Sequence, residues 1–132
     1  MSIDRSRLFR HRALVESLRV GVLTISSQES DLRMRAAVHW SQTRVALPDV
    51  LRELSPADVL DRLTADAADQ DLNRDARSRV NGLLTAVREY LHAESEVLQL
   101  QREKAVIESR YRPLAALQAN LERYAAEQGV TS

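Results

Sequence analysis

The chain is 132 residues long, balances 19 Lys and Arg against 19 Asp and Glu, and contains no cysteine. Its length suits a single helical domain over residues 1–132, because one core usually serves roughly 100–200 residues. Without cysteine, disulfides, thiolate metal sites and cysteine nucleophiles are excluded, and zero net charge removes the whole-molecule field that committed nucleic-acid binders carry.

Aromatic residues make up 4% of the chain (Phe9, Trp40, Tyr90, Tyr111 and Tyr124), so a core must be built from Leu, Val and Ala, a mix that favours helices over sheets. The charge is unevenly spread. Residues 1–19 carry Arg5, Arg7, Arg10, Arg12 and Arg19 against Asp4 and Glu16, a net +3. Residues 49–75 carry eight acids (Asp49, Glu53, Asp58, Asp61, Asp66, Asp69, Asp71, Asp75) against Arg52, Arg62 and Arg74, a net −5. A basic end and an acidic middle attract one another, within a chain or between chains. The N-terminus is charged, no apolar run approaches the roughly 18 residues of a membrane span, and no lipidation motif is present, so a soluble cytoplasmic protein is expected.

In chain order, Leu8, Val15, Leu18, Val22 and Ile25 step by seven, three, four and three, one face of an amphipathic helix over 4–26. Gly21 and the β-branched Val20, Val22, Thr24 and Ile25 make a short strand over 19–26 the competing reading. The small polar residues 26–30 read as a break, with Ser30 capping a second helix over 30–47 and Asp31 placed for its dipole. That helix carries Leu32, Ala36, Trp40, Thr43 and Leu47, and the single tryptophan anchors a helix contact. Pro48 then stops it or opens a short turn through 49–53.

Leu54-Ser55-Pro56-Ala57-Asp58-Val59 is the most specific local signal: Ser55 as N-cap, Pro56 at the first helical position, Asp58 by the free amides and Leu54 stapled to Val59. It predicts a helix over 56–67, followed by an acidic connector to residue 71. The remaining stretch, 72–128, repeats Val80, Leu84, Val87, Leu91, Leu98 and Ala105 at helical spacing. Asn81-Gly82 is a turn signal, but the stripe keeps its phase across it and the helix is read as continuous. Pro113 is expected to kink or restart the helix, giving 72–112 and 113–127, with Leu114, Leu117, Leu121 and Tyr124 carrying the face to a stop at Gly129. Between residues 94 and 110 the composition is that of a coiled coil, yet Glu94 and Gln101 intrude at successive a positions. A parallel zipper is disfavoured by that intrusion, and antiparallel or multi-helix packing fits it better.

Signals for chemistry are sparse. The available bases are His11, His39 and His92, none beside a loop motif, and the three glycines cannot build a phosphate-cradling loop. Glu89 and His92 have the Glu-x-x-His spacing of di-iron bundles, with Glu96 a turn further on, but a second such pair is lacking and a charged surface is the simpler reading.

These observations predict an all-α fold: an elongated helical bundle or hairpin with one long amphipathic, coiled-coil-like helix, completed by self-association. The expected function is non-enzymatic, that of a scaffold, adaptor or assembly subunit packing helices against itself or another protein, with no cofactor and no catalytic or metal residues. The expected protein-interaction surface is Leu8, Val15, Leu18, Trp40, Val87, Leu91, Leu98, Ile107 and Tyr111. One alternative is a small helical subunit of a nucleic-acid-associated complex gripping phosphates through Arg5, Arg7, Arg10 and Arg12, and further through Arg102, Lys104, Arg110 and Arg112. Another is a secretion or assembly chaperone, which would keep apolar surface exposed until a client arrives.

Overall fold

A computed structural model describes residues 5–129, which form four α-helices and no strand: α1 (Arg5–Ala46), α2 (Asp49–Arg52), α3 (Pro56–Ala67) and α4 (Arg74–Glu127). The fold is all-α, with α1 and α4 packed against each other as a helical hairpin. Contacts divide the chain into two units, Met1–Glu29 with Gln99–Ser132, and Ser30–Leu98.

The Ser30–Leu98 unit contains the apolar core. Leu47, Leu51, Val59, Leu63, Leu84 and Val87 are buried together, drawn from the end of α1, from α2 and α3, and from the start of α4. Val59 and Val87 are fully buried, and Trp40, Leu54, Leu60, Val80, Leu83 and Leu91 pack around the cluster. Trp40 stacks on Tyr90 at 4.9 Å between ring centroids and 32° between planes, which joins α1 to α4. α3 starts as expected: Ser55 Oγ accepts from the Asp58 amide at 3.2 Å, with Pro56 at the first helical position. Arg52 closes the preceding corner, donating from Nε to Leu47 O (3.1 Å) and from Nη2 to Val45 O (3.1 Å), carbonyls that the end of α1 leaves without helical partners. Arg77 does the same for α3, reaching Ala67 O at 3.1 Å and Asp69 O at 2.9 Å.

In the other unit, the first part of α1 runs antiparallel to the second part of α4. Glu29 meets Gln101, the backbone of Gly21 lies against Ile107, and His11 meets Gln118. Its buried apolar residues are Leu8 and Ala125, and buried polar side chains join them.

Two predicted boundaries are corrected. Residues 26–30 do not break α1, and the strand alternative over 19–26 is helical too, with Thr24 Oγ donating to Val20 O four residues back. The inward positions Val22, Ile25, Glu29, Leu32 and Ala36 keep steps of three and four across the supposed break. Glu29 is 8% exposed and held by α4, so packing overrides the small polar composition. The predicted helix start at residue 4 lies outside the described residues. The second correction is at Pro113, where 72–112 and 113–127 form one helix that runs through the proline. Pro113 has no N–H for the Ser109 carbonyl, a local cost of about 3 kcal/mol that contacts along a 54-residue helix offset. Continuity across Asn81-Gly82 is as read, and α4 ends before Gly129, whose φ of 72° is the left-handed backbone that stops a helix.

Candidate protein-interaction surface

Most of the side chains predicted to bind partners lie on the side of their helix that the chain covers itself. In the unit Met1–Glu29 with Gln99–Ser132, Leu8 is buried and Val15, Leu18, Ile107 and Tyr111 are half-buried. In the Ser30–Leu98 unit, Val87 is fully buried, Trp40 and Leu91 pack against the core, and Leu98 is exposed.

Of the two polar residues that interrupted the sequence stripe, Gln101 faces a partner across the helix pair, while Glu94 is exposed. Gln101 Nε2 donates to Glu29 Oε1 at 2.9 Å, and Lys104 Nζ approaches Glu29 Oε2 at 3.7 Å. Nearer the other end of that unit, His11 Nδ1 donates to Gln118 Oε1 at 2.5 Å, Gln118 Nε2 donates to Glu122 Oε1 at 2.9 Å, and Arg12 Nε donates to the same carboxylate oxygen. These bonds, the Gln118 amide first and the Arg12 guanidinium second, hold the Glu122 carboxyl below its usual range. The second ring nitrogen of His11 is buried without a hydrogen-bond partner among the described residues. Both layers fix how α1 and α4 are registered within that unit, since a slip along either helix would strand a buried polar group.

The three histidines each have a separate partner. His92 Nε2 lies 2.7 Å from Glu96 Oε1 on the solvent side of α4. Glu89 turns instead towards His39, whose Nε2 donates to Ala86 O at 2.9 Å and stands 3.8 Å from the Glu89 carboxylate. Among the described residues, no group of three or more His, Cys, Asp or Glu could hold a metal ion. Burial, with the Glu94 carboxylate next in effect, pushes the Tyr90 hydroxyl pKa up, which keeps it neutral as a partner for Glu94.

Of the arginines predicted to grip phosphates, Arg12 is engaged by Glu122, while Arg5, Arg7 and Arg10 are exposed and make no ion pair among the described residues. Arg10 Nε donates to Ser6 O. No helix among the described residues is long and apolar enough to cross a membrane.

The feature that sequence reasoning missed is on the outer side of α1. In the first unit, Phe9 (70% exposed), Val20 and Leu23 point away from α4, and at 3.6 residues per turn they share an arc of about 60°. In the second unit, Met34 (66%), Val38 and Val45 (75%) share an arc of about 40°, with exposed Val50 just beyond on α2. The spacing is visible in the sequence once it is sought, because Phe9 and Val20, and likewise Leu23, Met34 and Val45, are separated by steps of eleven, which is three helical turns. An apolar inner stripe on the same helix draws attention away from it. Open pockets flank the outer face in each unit. One, of about 390 Å³, is lined by Arg5, Ser6, Leu8, Phe9 and Arg12. The other, of about 420 Å³, sits at the α1–α2 corner and is lined by Ser41, Arg44, Val45, Arg52 and Glu53.

Compared with protein-family models, with curated proteins and with solved structures, the chain matches none of them.

Proposed function

We propose that the chain is a non-enzymatic helical assembly subunit or adaptor, working through helix-to-helix contacts with protein partners. The observation that supports this is the outer face of α1, where large apolar side chains recur at helical spacing on the side that the chain's own packing leaves in water. Scattered apolar residues are normal on a surface, but a row on one helix face marks a contact site. A helix laid into or along such a row is read through anchors three, four and seven residues apart, the steps found here.

The test is photo-crosslinking in the cells that make the protein, with a photoreactive amino acid at Val38 on the outer face or at Asp61 on exposed α3. A defined set of proteins attached through Val38 and not through Asp61 is the expected result. Equal or absent capture at the two positions would overturn the reading. A secretion or assembly chaperone would use the same face and differs in one respect, that the captured protein leaves once it has folded or been delivered.

One observation favours the second reading, contact with nucleic acid: three exposed guanidiniums, Arg5, Arg7 and Arg10, without ion pairs among the described residues. Titration with a generic oligonucleotide decides it. Binding at low salt that falls steeply as salt rises supports phosphate contacts, and no binding at low salt excludes them.

A further inference from the structure

We infer that the ligand of the basic start of α1 is a single-stranded nucleic acid, with one base stacked on Phe9 and the phosphates on either side of that base held by Arg5 and Arg12. The inference rests on the second reading above, phosphate contacts by arginines, and names the form of nucleic acid and the residue that takes its base. All three side chains belong to one unit, Met1–Glu29 with Gln99–Ser132. At 100° per residue they share an arc of about 60° on α1, and at 1.5 Å per residue Phe9 stands about 6 Å along the axis from Arg5 and about 4.5 Å from Arg12. An aromatic ring set between two guanidiniums matches the repeat of a single strand, where each base has a phosphate on either side. The three side chains line one open pocket of about 390 Å³ with Ser6 and Leu8, which gives a flat base room beside the ring. Phe9, the only phenylalanine, is 70% exposed, so its face is open to stacking.

Charge favours a polyanion over an apolar partner at this ring. The unit counts ten Lys and Arg against seven Asp and Glu, a net +3, although the whole chain is neutral. Arg5 makes no ion pair among the described residues, and Arg12 donates to Glu122 through Nε, which leaves the terminal nitrogens of its fork for a second anion. Two acids border the face, and both are engaged. Glu16 has both carboxylate oxygens on Arg19, and Glu122 accepts from Gln118 and Arg12. Arg10 lies about 100° round α1 from Phe9 and Arg7 on the far flank, where they add attraction for a polyanion without touching the stacked base. An apolar groove closing over Phe9 would strip water from the flanking guanidiniums with no anion to offset the cost. A duplex keeps its bases stacked on one another, so it can use the arginines but not the ring.

Fluorescence anisotropy on the full chain, with a labelled oligothymidylate of about twelve nucleotides, provides the test. Binding should be measurable at about 50 mM salt and fall steeply towards about 200 mM, with a duplex of the same length bound more weakly. Phe9→Ala should weaken single-strand binding by about tenfold or more while leaving duplex binding and melting temperature unchanged, because the side chain lies in water. Phe9→Tyr should bind like the parent and Phe9→Leu like Phe9→Ala, since only an aromatic ring offers a face for stacking. Arg5→Gln should reduce the slope of log affinity against log salt by about one. Equal affinity for single strand and duplex, or a Phe9→Leu variant that binds as well as the parent, would overturn the inference and leave phosphate contacts standing. Binding of an oligoglutamate as tight as that of the oligothymidylate would also overturn it, and would make the ligand an acidic protein segment. If neither nucleic acid binds at about 50 mM salt, this inference and the second reading fail together.

Discussion

The two units use the same pair of helices and solve the packing problem differently. Where α2 and α3 close over α1 and α4, four elements enclose Leu47, Leu51, Val59, Leu63, Leu84 and Val87, and the centre is apolar throughout. In the other unit only two helices meet, most inward side chains stay half in water, and the contacts that fix the pairing are polar: Glu29 with Gln101 and Lys104, and His11 with Gln118 and Glu122. A two-helix seam buries too little apolar surface to specify its own register, because neighbouring slips cost similar amounts. A buried carboxylate or amide that must find its partner separates them.

The largest expected effect tests the first half of this contrast. Leu63→Ala removes a side chain that is 1% exposed and leaves a void enclosed by four elements, which should cost about 2–5 kcal/mol in urea unfolding. Leu18→Ala, at a half-buried position of the two-helix unit, should cost less because water fills the space. Equal losses would show that the seam is as well packed as the core.

Next comes the polar layer. Gln101→Leu takes an amide donor from a carboxylate that is 8% exposed, with an expected cost of about 1–3 kcal/mol. Pairing it with Glu29→Leu should recover most of that loss, since both partners are then apolar. A double variant no better than the single one would mean that Glu29 is held by Lys104 and its other neighbours, and that Gln101 does not set the register.

A smaller gain is expected at the helical glycines. A Cβ at Gly82 would meet nothing within 4 Å, so Gly82→Ala should stabilise by about 0.5–1 kcal/mol through backbone entropy alone. At Gly21 the added methyl would touch two carbons of Ile107 at 3.8 and 3.9 Å, ordinary contact distances. Gly21→Ala should therefore gain at least as much, and a loss there would show that the added methyl disturbs the packing of Ile107.

Much of the fold was legible because it rests on local chemistry. The cap at Ser55-Pro56 and the stop at Gly129 follow from backbone rules, and the helix boundaries at 56–67 match. The uninterrupted α1 was not legible, since Ser26 to Ser30 has the composition of a break and only the opposite helix, through Gln101, shows why Glu29 stays helical. The restart expected at Pro113 is absent for the same reason, its local cost being set against contacts that a sequence window does not contain. Glu94 and Gln101 were legible as flaws in the stripe, but the carboxylate that Gln101 reaches lies 72 positions away. The outer row on α1 was hidden by the helix's own second stripe. With apolar residues on two opposite sides, the inner face alone looked complete.

The smallest effect concerns acid and separates the two units again. Glu122 has its carboxyl pKa lowered by the Gln118 amide and then by Arg12, so the folded state binds this proton less readily than the unfolded chain. Its contribution to stability is therefore present above the ordinary carboxylate range, near pH 4.3, and is lost as the pH falls through the lower folded value. Because Glu122 is exposed at the surface of the seam, solvent screening keeps the contribution small. Melting temperature measured from pH 7 down to pH 3 should fall more gently for Glu122→Gln than for the parent chain, because the substituted side chain has no proton to take up. The neutral amide still accepts from Gln118, so the two proteins should converge at the acid end. Identical acid limbs would mean that Glu122 adds nothing beyond what His11 and Gln118 already fix.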